Sequence, residues 1–380
     1  MNAALKHWKE AATLILAAGR RAGTPSPVGS SHLTHRWSFD YDILLLKRSS
    51  RSGFMPNAYV FPGGMLDSSD FSSEWCDVFT SSSRCSHFGL TGVKQPAETR
   101  PPIFATDRQK LGSPIPGEVA VRICALRETF EESGVLLCVS KAEEKAVLDR
   151  SEDQRAAPHK ANGLCSSELV RWRTLVNQNP SNFIKMCREL EVVPNIWALH
   201  EWSNWLTPTG RYGATRFDTA FFVCCLQEVP HTLQDQKEIV RFQWSTPPQI
   251  LQSYQAQELW IAPPQFYELS RLCRFPSLND LHNFASRRAA EGCEQWLPVG
   301  FSNDKHYISV LPGDKHYPSD SSGETDVDMS TVLQLNSPQD KNPLHRIIIS
   351  DSYTATVQIN ITPKYNHLVP VVEPASKSQL

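Results

Sequence analysis

From Gly117 to Ser133 the chain reads GEVAVRICALRETFEES, with Val119, Ile123, Leu126 and Phe130 at i, i+4, i+7 and i+11. An α-helix turns about 100° per residue, so this spacing lines four apolar side chains into a single stripe. Gly134 follows at once, where a left-handed residue ends a helix. A helix with one apolar stripe needs a surface to cover. Apolar runs of strand length at Ala11–Ala17, Ile43–Lys47, Tyr59–Phe61, Val135–Cys138, Phe217–Leu226 and Ile239–Trp244 offer that surface. Two more helices are predicted, one after Pro263–Pro264 and one near Leu278–Trp296. Strands interleaved with helices predict an α/β (α+β) fold.

A chain of 380 residues can bury a large core, as one domain with insertions or as two. Its 40 acidic and 38 basic residues leave a net charge of -2, so no overall basic field points to nucleic acid or an anionic membrane. No apolar run approaches the ~18 residues of a membrane helix, so no membrane span is expected. The start, KHWKEAATLILAAGRR, has the outline of a secretory leader, but Glu10 interrupts its basic part and it reads as a buried first strand. Ten scattered cysteines without a CxxC pair read as reduced thiols of an intracellular compartment.

Ser68 to Pro116, rich in Ser, Thr and Pro, and Lys141 to about Pro194, polar and weakly periodic, read as insertions that add little core. Gly313 to Asn342, acidic and Ser-rich, reads as a linker or long loop. After it, HRIIISDSYTATVQINITPKY predicts a strand pair turning at Asp351–Ser352.

The predicted helix ends in acids. Glu128, Glu131 and Glu132 stand at i, i+3 and i+4, opposite the apolar stripe and in the turns where backbone carbonyls already carry negative partial charge. A solvated face, partly neutralised by Arg122 and Arg127, is the ordinary reading of such a cluster. The functional one is convergence of carboxylates on hard divalent cations that bridge phosphates. Upstream, FPGG at residues 61–64 places paired glycines at a strand end, where backbone can approach a ligand closely.

FPGG, then Gly117-Glu118, then RETFEESGV together resemble the signature of the Nudix superfamily, matching at Arg127, Glu128, Glu131, Glu132, Gly134 and Val135. Thr129 departs from the bulky apolar residue of that pattern, and Glu118 lies nine positions before Arg127, one more than the pattern has. Gly64 and Glu118 are also 54 positions apart, where the family keeps them close. Loop-closure entropy makes a roughly ninefold lengthening cost only about 2 kcal/mol, so a surface insertion is tolerable. The resemblance implies a Nudix α/β/α sandwich with a mixed sheet, large insertions and a C-terminal extension. It divides the chain into a hydrolase domain at 8–252, interrupted at about 68–116 and 141–194, and an extension at 253–380. It also implies Mg²⁺ or Mn²⁺ held by Glu128, Glu131 and Glu132, with Arg127 orienting the acids. The general base is then a glutamate of this cluster or Glu238, just before IVRFQW.

LLLKRSSRSGFMPNAYVFPGG resembles the stretch preceding the signature in coenzyme A diphosphatases, agreeing at Leu45, Arg48, Ser49 and FPGG, with Leu46, Gly53 and Asn57 out of pattern. Lys47, Arg48 and Arg51 suit phosphates there, and Arg48, Gly63 and Gly64 are the expected substrate-binding residues. WALHEWSNWLTP, RFDTAFFVCCL, FQWSTP and LWIAPPQFYEL extend the likeness, over nearly the whole chain, to the peroxisomal acyl-coenzyme A diphosphatase branch. That branch implies cleavage of coenzyme A and acyl-coenzyme A to adenosine 3′,5′-bisphosphate and (acyl-)4′-phosphopantetheine. The C-terminal Ser378-Gln379-Leu380 matches a peroxisomal address at its first and third positions, so peroxisomal location through the import receptor is expected, or the cytoplasm if the tail is not read. Two alternatives stand beside this: another nucleoside diphosphate derivative such as capped RNA or a nucleotide sugar, or a non-catalytic nucleotide-binding domain. The lack of net positive charge argues against long RNA. Trp197, Trp202, Trp205, Trp260 and Phe266 are large aromatics that read first as core and second as the lining of an adenine or acyl pocket.

Overall fold

The apolar run after Lys9 becomes β1 (Trp8–Gly19), the strand around which the molecule is built. A computed structural model describes residues 8–20, 38–108, 110, 112–149, 166–208, 215–234, 238–302, 306–318 and 342–371. Alternate residues of β1 leave on opposite faces: Ala12, Leu14, Leu16 and Ala18 enter one apolar cluster, Ile15 and Ala17 another. Burial on both faces is why β1 reads as a nearly continuous apolar run.

In chain order β1 is followed by β2 (Tyr41–Arg48), β3 (Tyr59–Val60) and β4 (Gly63–Met65), then short helices α1 (Trp75–Val78) and α2 (Pro102–Ala105), then the long α3 (Gly117–Ser133). Next come β5 (Cys138–Ser140), α4 (Glu144–Leu148), α5 (Ser166–Gln178), α6 (Asn182–Glu189) and β6 (Val192–Pro194). The strands β7 (His200–Leu206), β8 (Arg216–Leu226) and β9 (Ile239–Ser245) return to the main sheet. They lead into α7 (Pro247–Gln255), α8 (Pro263–Leu272), α9 (Leu278–Ala289) and β10 (Gln295–Trp296). The chain ends in β11 (Val299–Ser302), β12 (Tyr307–Val310), β13 (His345–Asp351) and β14 (Thr354–Ile359).

The main sheet runs β10-β7-β8-β1-β2-β3, with β4 also paired to β1 and β9 to β2. β1 and β8 are parallel, as are β10 and β7, and the other pairs are antiparallel, which makes the sheet mixed. Helix α3 packs on one face with Val119, Ile123, Leu126 and Phe130 in the first cluster. On the other face Tyr267, Leu269 and Leu272 of α8 and Leu281 and Ala285 of α9 join the second cluster. The result is an α/β/α sandwich, to which β11–β14 add a separate four-stranded sheet. The two helices and the C-terminal strand pair foreseen in the sequence are present, although α9 ends at Ala289, before a turn at Gly292 (φ 90°).

Three expectations are overturned. Both insertions contribute core: Trp75, Phe79, Phe88 and Phe104 from the first and Trp172, Phe183 and Met186 from the second all enter the cluster beneath α3. Their rings meet, Trp75 and Phe183 at 5.9 Å and Phe130 of α3 with Phe183 at 6.3 Å. The face of α3 opposite its stripe is therefore covered instead of solvated, with Arg127, Thr129 and Glu132 all buried. Arg122 does not neutralise the acids, since it donates to the carbonyls of Glu118 and Leu199 and stacks on Phe222. Finally, residues 135–137 are buried without being a strand, and pairing begins only at Cys138. β7 gave no strand signal at all: its sequence HEWSNWL is broken by polar residues, yet all seven are buried. Glu201 there accepts two bonds from Arg100 at 3.0 and 2.8 Å, and the Asn204 amide donates to Asp218 at 2.7 Å, so partners far away in sequence make the burial tolerable.

Candidate active site

The acids sit where α3 ends, and Gly134 takes the left-handed conformation (φ 73°) with its N–H on the carbonyl of Phe130. Arg127 is the hub of the cluster and only 2% exposed. Its Nη1 donates to Glu128 and Glu131, both at 2.8 Å, while Nε and Nη2 form a fork onto Asp70 at 2.9 Å each. Nη2 also donates to the carbonyl of Met65 at 3.1 Å. Asp70 is a residue that sequence reasoning missed. It belongs to a turn of 3-10 helix, Ser68–Phe71, closed by a capping box from Asp67, inside a stretch whose composition reads as loop.

The paired glycines let the acids through. Glu132 Oε2 accepts the N–H of Gly63 at 2.9 Å. A Cβ on Gly64 would stand 2.5 Å from the carboxyl carbon of Glu128, so a strand with side chains here would displace that carboxylate. Burial pushes Glu128 up to about 7, against the pull of Arg127 and with help from Glu131. Glu131 is raised for the same reason, and Glu132 well above the usual carboxylate range by burial and by Glu128. The positive charge of Arg127 and Arg48 is thus insufficient for the acids around it, and an added cation would stabilise their ionised forms.

The donors are carboxylate oxygens, the set that Mg²⁺ and Mn²⁺ take. Among the described residues no three carboxylate, imidazole or thiolate groups already stand together as a metal cage. Glu128 and Glu131 lean on Arg127 and Glu132 on Gly63, each through bonds that a side-chain rotation would exchange for a cation. The residues fit such an ion in charge and in donor chemistry.

The cluster opens into a cavity of about 720 Å³. Lys9, Ala11 and Thr13 of β1 and Phe217, Thr219 and Phe221 of β8, alternate residues on one sheet face, form its floor. Arg48 and Glu238 line it as a pair at 2.6 Å, brought together because Arg48 ends β2 opposite Ile239 at the start of β9. Every proposed site residue, Arg48, Gly63, Gly64, Arg127, Glu128, Glu131, Glu132 and Glu238, faces this one space. Lys47 and Arg51 are not part of the lining, and Lys9, which the sequence did not single out, is. Glu118 also lies elsewhere, against His87 at 2.7 Å and Arg100 at 3.7 Å. Of the five aromatics singled out in the sequence, Trp197, Trp202, Trp205, Trp260 and Phe266, Trp205 alone lines the cavity; Trp202 is buried on Glu268 and Trp197 donates to the carbonyl of Phe88.

The family model for the NUDT19 Nudix domain matches residues 8–272, and that for the NUDT19 C-terminal domain matches residues 300–360. Acyl-coenzyme A diphosphatase NUDT19 of Gallus gallus is 48% identical over 98% of this chain and 97% of its own. The Homo sapiens protein of that name is 38% identical, with the same coverage of both chains. A solved Nudix hydrolase from Alicyclobacillus acidocaldarius is 19% identical, covering 73% of this chain and 96% of its own at a TM-score of 0.48. With a partly buried Arg-Glu-Glu-Glu cluster at the end of α3 and a family match over more than half its length, the chain belongs to the Nudix hydrolases, in the NUDT19 family.

Proposed function

We propose that this protein hydrolyses the diphosphate of coenzyme A and acyl-coenzyme A, releasing adenosine 3′,5′-bisphosphate and (acyl-)4′-phosphopantetheine. The observation that carries the reading is one cavity lined both by the three glutamates and by apolar side chains such as Phe54, Trp205, Leu206, Phe217 and Phe221, in a chain whose relatives are named acyl-coenzyme A diphosphatases. A diphosphate needs the charged end, and a pantetheine arm with its acyl chain needs the apolar one.

Glu128, Glu131 and Glu132 would hold Mg²⁺ or Mn²⁺, which when bound neutralises phosphoryl oxygens and makes bound water more acidic. Arg127 holds Glu128 and Glu131 at the wall of the cavity and is itself locked by Asp70, so the acids keep one arrangement. Arg48, swung from Glu238 to a phosphate, supplies a forked cation for the substrate. Water attacks one phosphorus, the bond from that phosphorus to the bridging oxygen breaks, and the water proton passes to a carboxylate of the cavity wall. Glu128, Glu131, Glu132 and Glu238 all line the cavity, and the base is one of the cluster glutamates or Glu238.

The test is mass spectrometry of the products from coenzyme A and Mg²⁺, with wild type beside Glu132→Gln and Glu238→Gln. Both products from wild type and their loss in Glu132→Gln are expected; loss of rate at high pH in Glu238→Gln alone would make that residue the base. No cleavage by wild type sinks the proposal. The tail Ser378-Gln379-Leu380 lies outside the described residues, and we propose that the import receptor reads it as a peroxisomal address. A fluorescent fusion carrying the chain's own C-terminus should concentrate in peroxisomes and disperse when the tripeptide is removed.

A further inference from the structure

Four strands measure the cavity. β4 carries the glycines that touch Glu128 and Glu132, and it pairs with β1, β1 with β8, and β8 with β7. Adjacent strands lie about 4.8 Å apart, so three steps from β4 to Trp205 on β7 span about 14 Å, and the fourth, to β10, about 19 Å. Pro298, two residues after the end of β10, leads into the C-terminal sheet. A pantetheine arm has the length of about four peptide units, about 15 Å when extended. With its diphosphate at the glutamates, its sulfur therefore arrives near β7 and β10.

What stands there is the C-terminal unit. Tyr307 and Ser309 of β12 line the same cavity as the glutamates, and so does Ile347 of β13, directly opposite Ser309 in register. The alternate residues Ile308 and Val310 turn away into a small cluster of their own. β12 thus divides its faces between holding its own sheet together and walling the cavity. Trp205, Phe217 and Pro298 complete an apolar end on the side remote from β4.

We propose that this end, walled by Tyr307, Ser309 and Ile347, is the acyl subsite, so that the C-terminal sheet sets which thioesters the enzyme prefers. The assignment rests on the coenzyme A reading above and adds to it the place where the acyl chain lies. The C-terminal unit then acts in selection of substrate and not in the hydrolytic step.

The experiment measures kcat/KM of the full chain on free coenzyme A and on butyryl-, octanoyl- and palmitoyl-coenzyme A, for wild type, Tyr307→Ala and Ser309→Leu. Ser309→Leu fills the subsite, so the palmitoyl-to-free ratio falls about tenfold, with octanoyl between. Tyr307→Ala strips an apolar wall from a half-buried position and lowers the same ratio about tenfold through KM. Ratios that match wild type across all four substrates in both variants overturn the assignment. So does a loss of the same size on every substrate, which is what a purely structural role produces. Failure of wild type to cleave free coenzyme A is a separate result, because it removes the proposed function and not the location of the acyl chain alone.

Discussion

At the scale of single residues, Gly63 and Gly64 look interchangeable in sequence and are not. A Cβ on Gly64 meets the far end of a flexible side chain, the carboxylate of Glu128 at 2.5 Å. A Cβ on Gly63 meets backbone, the Ala12 carbonyl oxygen at 2.4 Å and Thr13 Cα at 2.8 Å. Gly64→Ala is therefore expected to fold with little loss of thermal stability while hydrolysis drops about 100-fold, because a carboxylate is moved by about an ångström. Gly63→Ala is expected to fail differently, lowering the unfolding free energy by more than about 2 kcal/mol. Paired thermal melts and rates separate the two, and equal melting points for both variants would refute the distinction. Arg127 belongs to the same scale. Its partners Glu128 and Glu131 are neighbours in sequence and were readable on the helix, whereas Asp70 is 57 positions away and shows no pattern of its own.

At the scale of elements, the two insertions act as a clasp over α3. Glu144 is fully buried and ties them together: residue 144 of the second accepts from the hydroxyls of Thr80 and Ser82 and the backbone N–H groups of Ser81 and Ser82 in the first. Glu144→Ala leaves those donors without an acceptor, and the expected cost is about 3 kcal/mol in chemical denaturation. An unchanged denaturation midpoint would mean that the insertions hold α3 without this clasp. The insertions read as poor in core because their apolar residues, such as Phe183 and Met186 of α6, stand in short helices among many polar ones. Only packing against α3 shows that those faces are covered. The same reason hid β7, whose buried polar residues are satisfied by Arg100 and Asp218 from other elements.

At the scale of the whole molecule, His345 joins the C-terminal sheet to α8. Its Nδ1–H donates to the Pro312 carbonyl at 2.7 Å and its Nε2 accepts from the Tyr267 hydroxyl at 2.8 Å, an arrangement that only the neutral ring can make. Burial pushes its pKa down to about 4 from an ordinary 6.5. Below pH 6.5 the unfolded chain gains a proton that the folded one refuses until about 4, so this contribution is full above 6.5 and is lost as pH falls. By pH about 5 the loss from this residue is about 2 kcal/mol. Denaturation at pH about 7.5 and about 5 should show His345→Gln losing less stability than wild type over that interval. A variant that loses as much as wild type would place the sensitivity elsewhere.

Periodicity is a property of residues close together along the chain, which is why the helix from Gly117 to Ser133, most strands of the main sheet, the glycine pair and the three glutamates were all legible before any coordinates. What those acids face was not. Whether Glu132 meets water or the N–H of Gly63, whether Arg127 is solvated or locked by Asp70, and which sheet walls the far end of the cavity depend on residues tens to hundreds of positions apart. Burial of a polar group is tolerable only when its partner arrives. That arrival is an event of packing, and no local pattern of residue types records it.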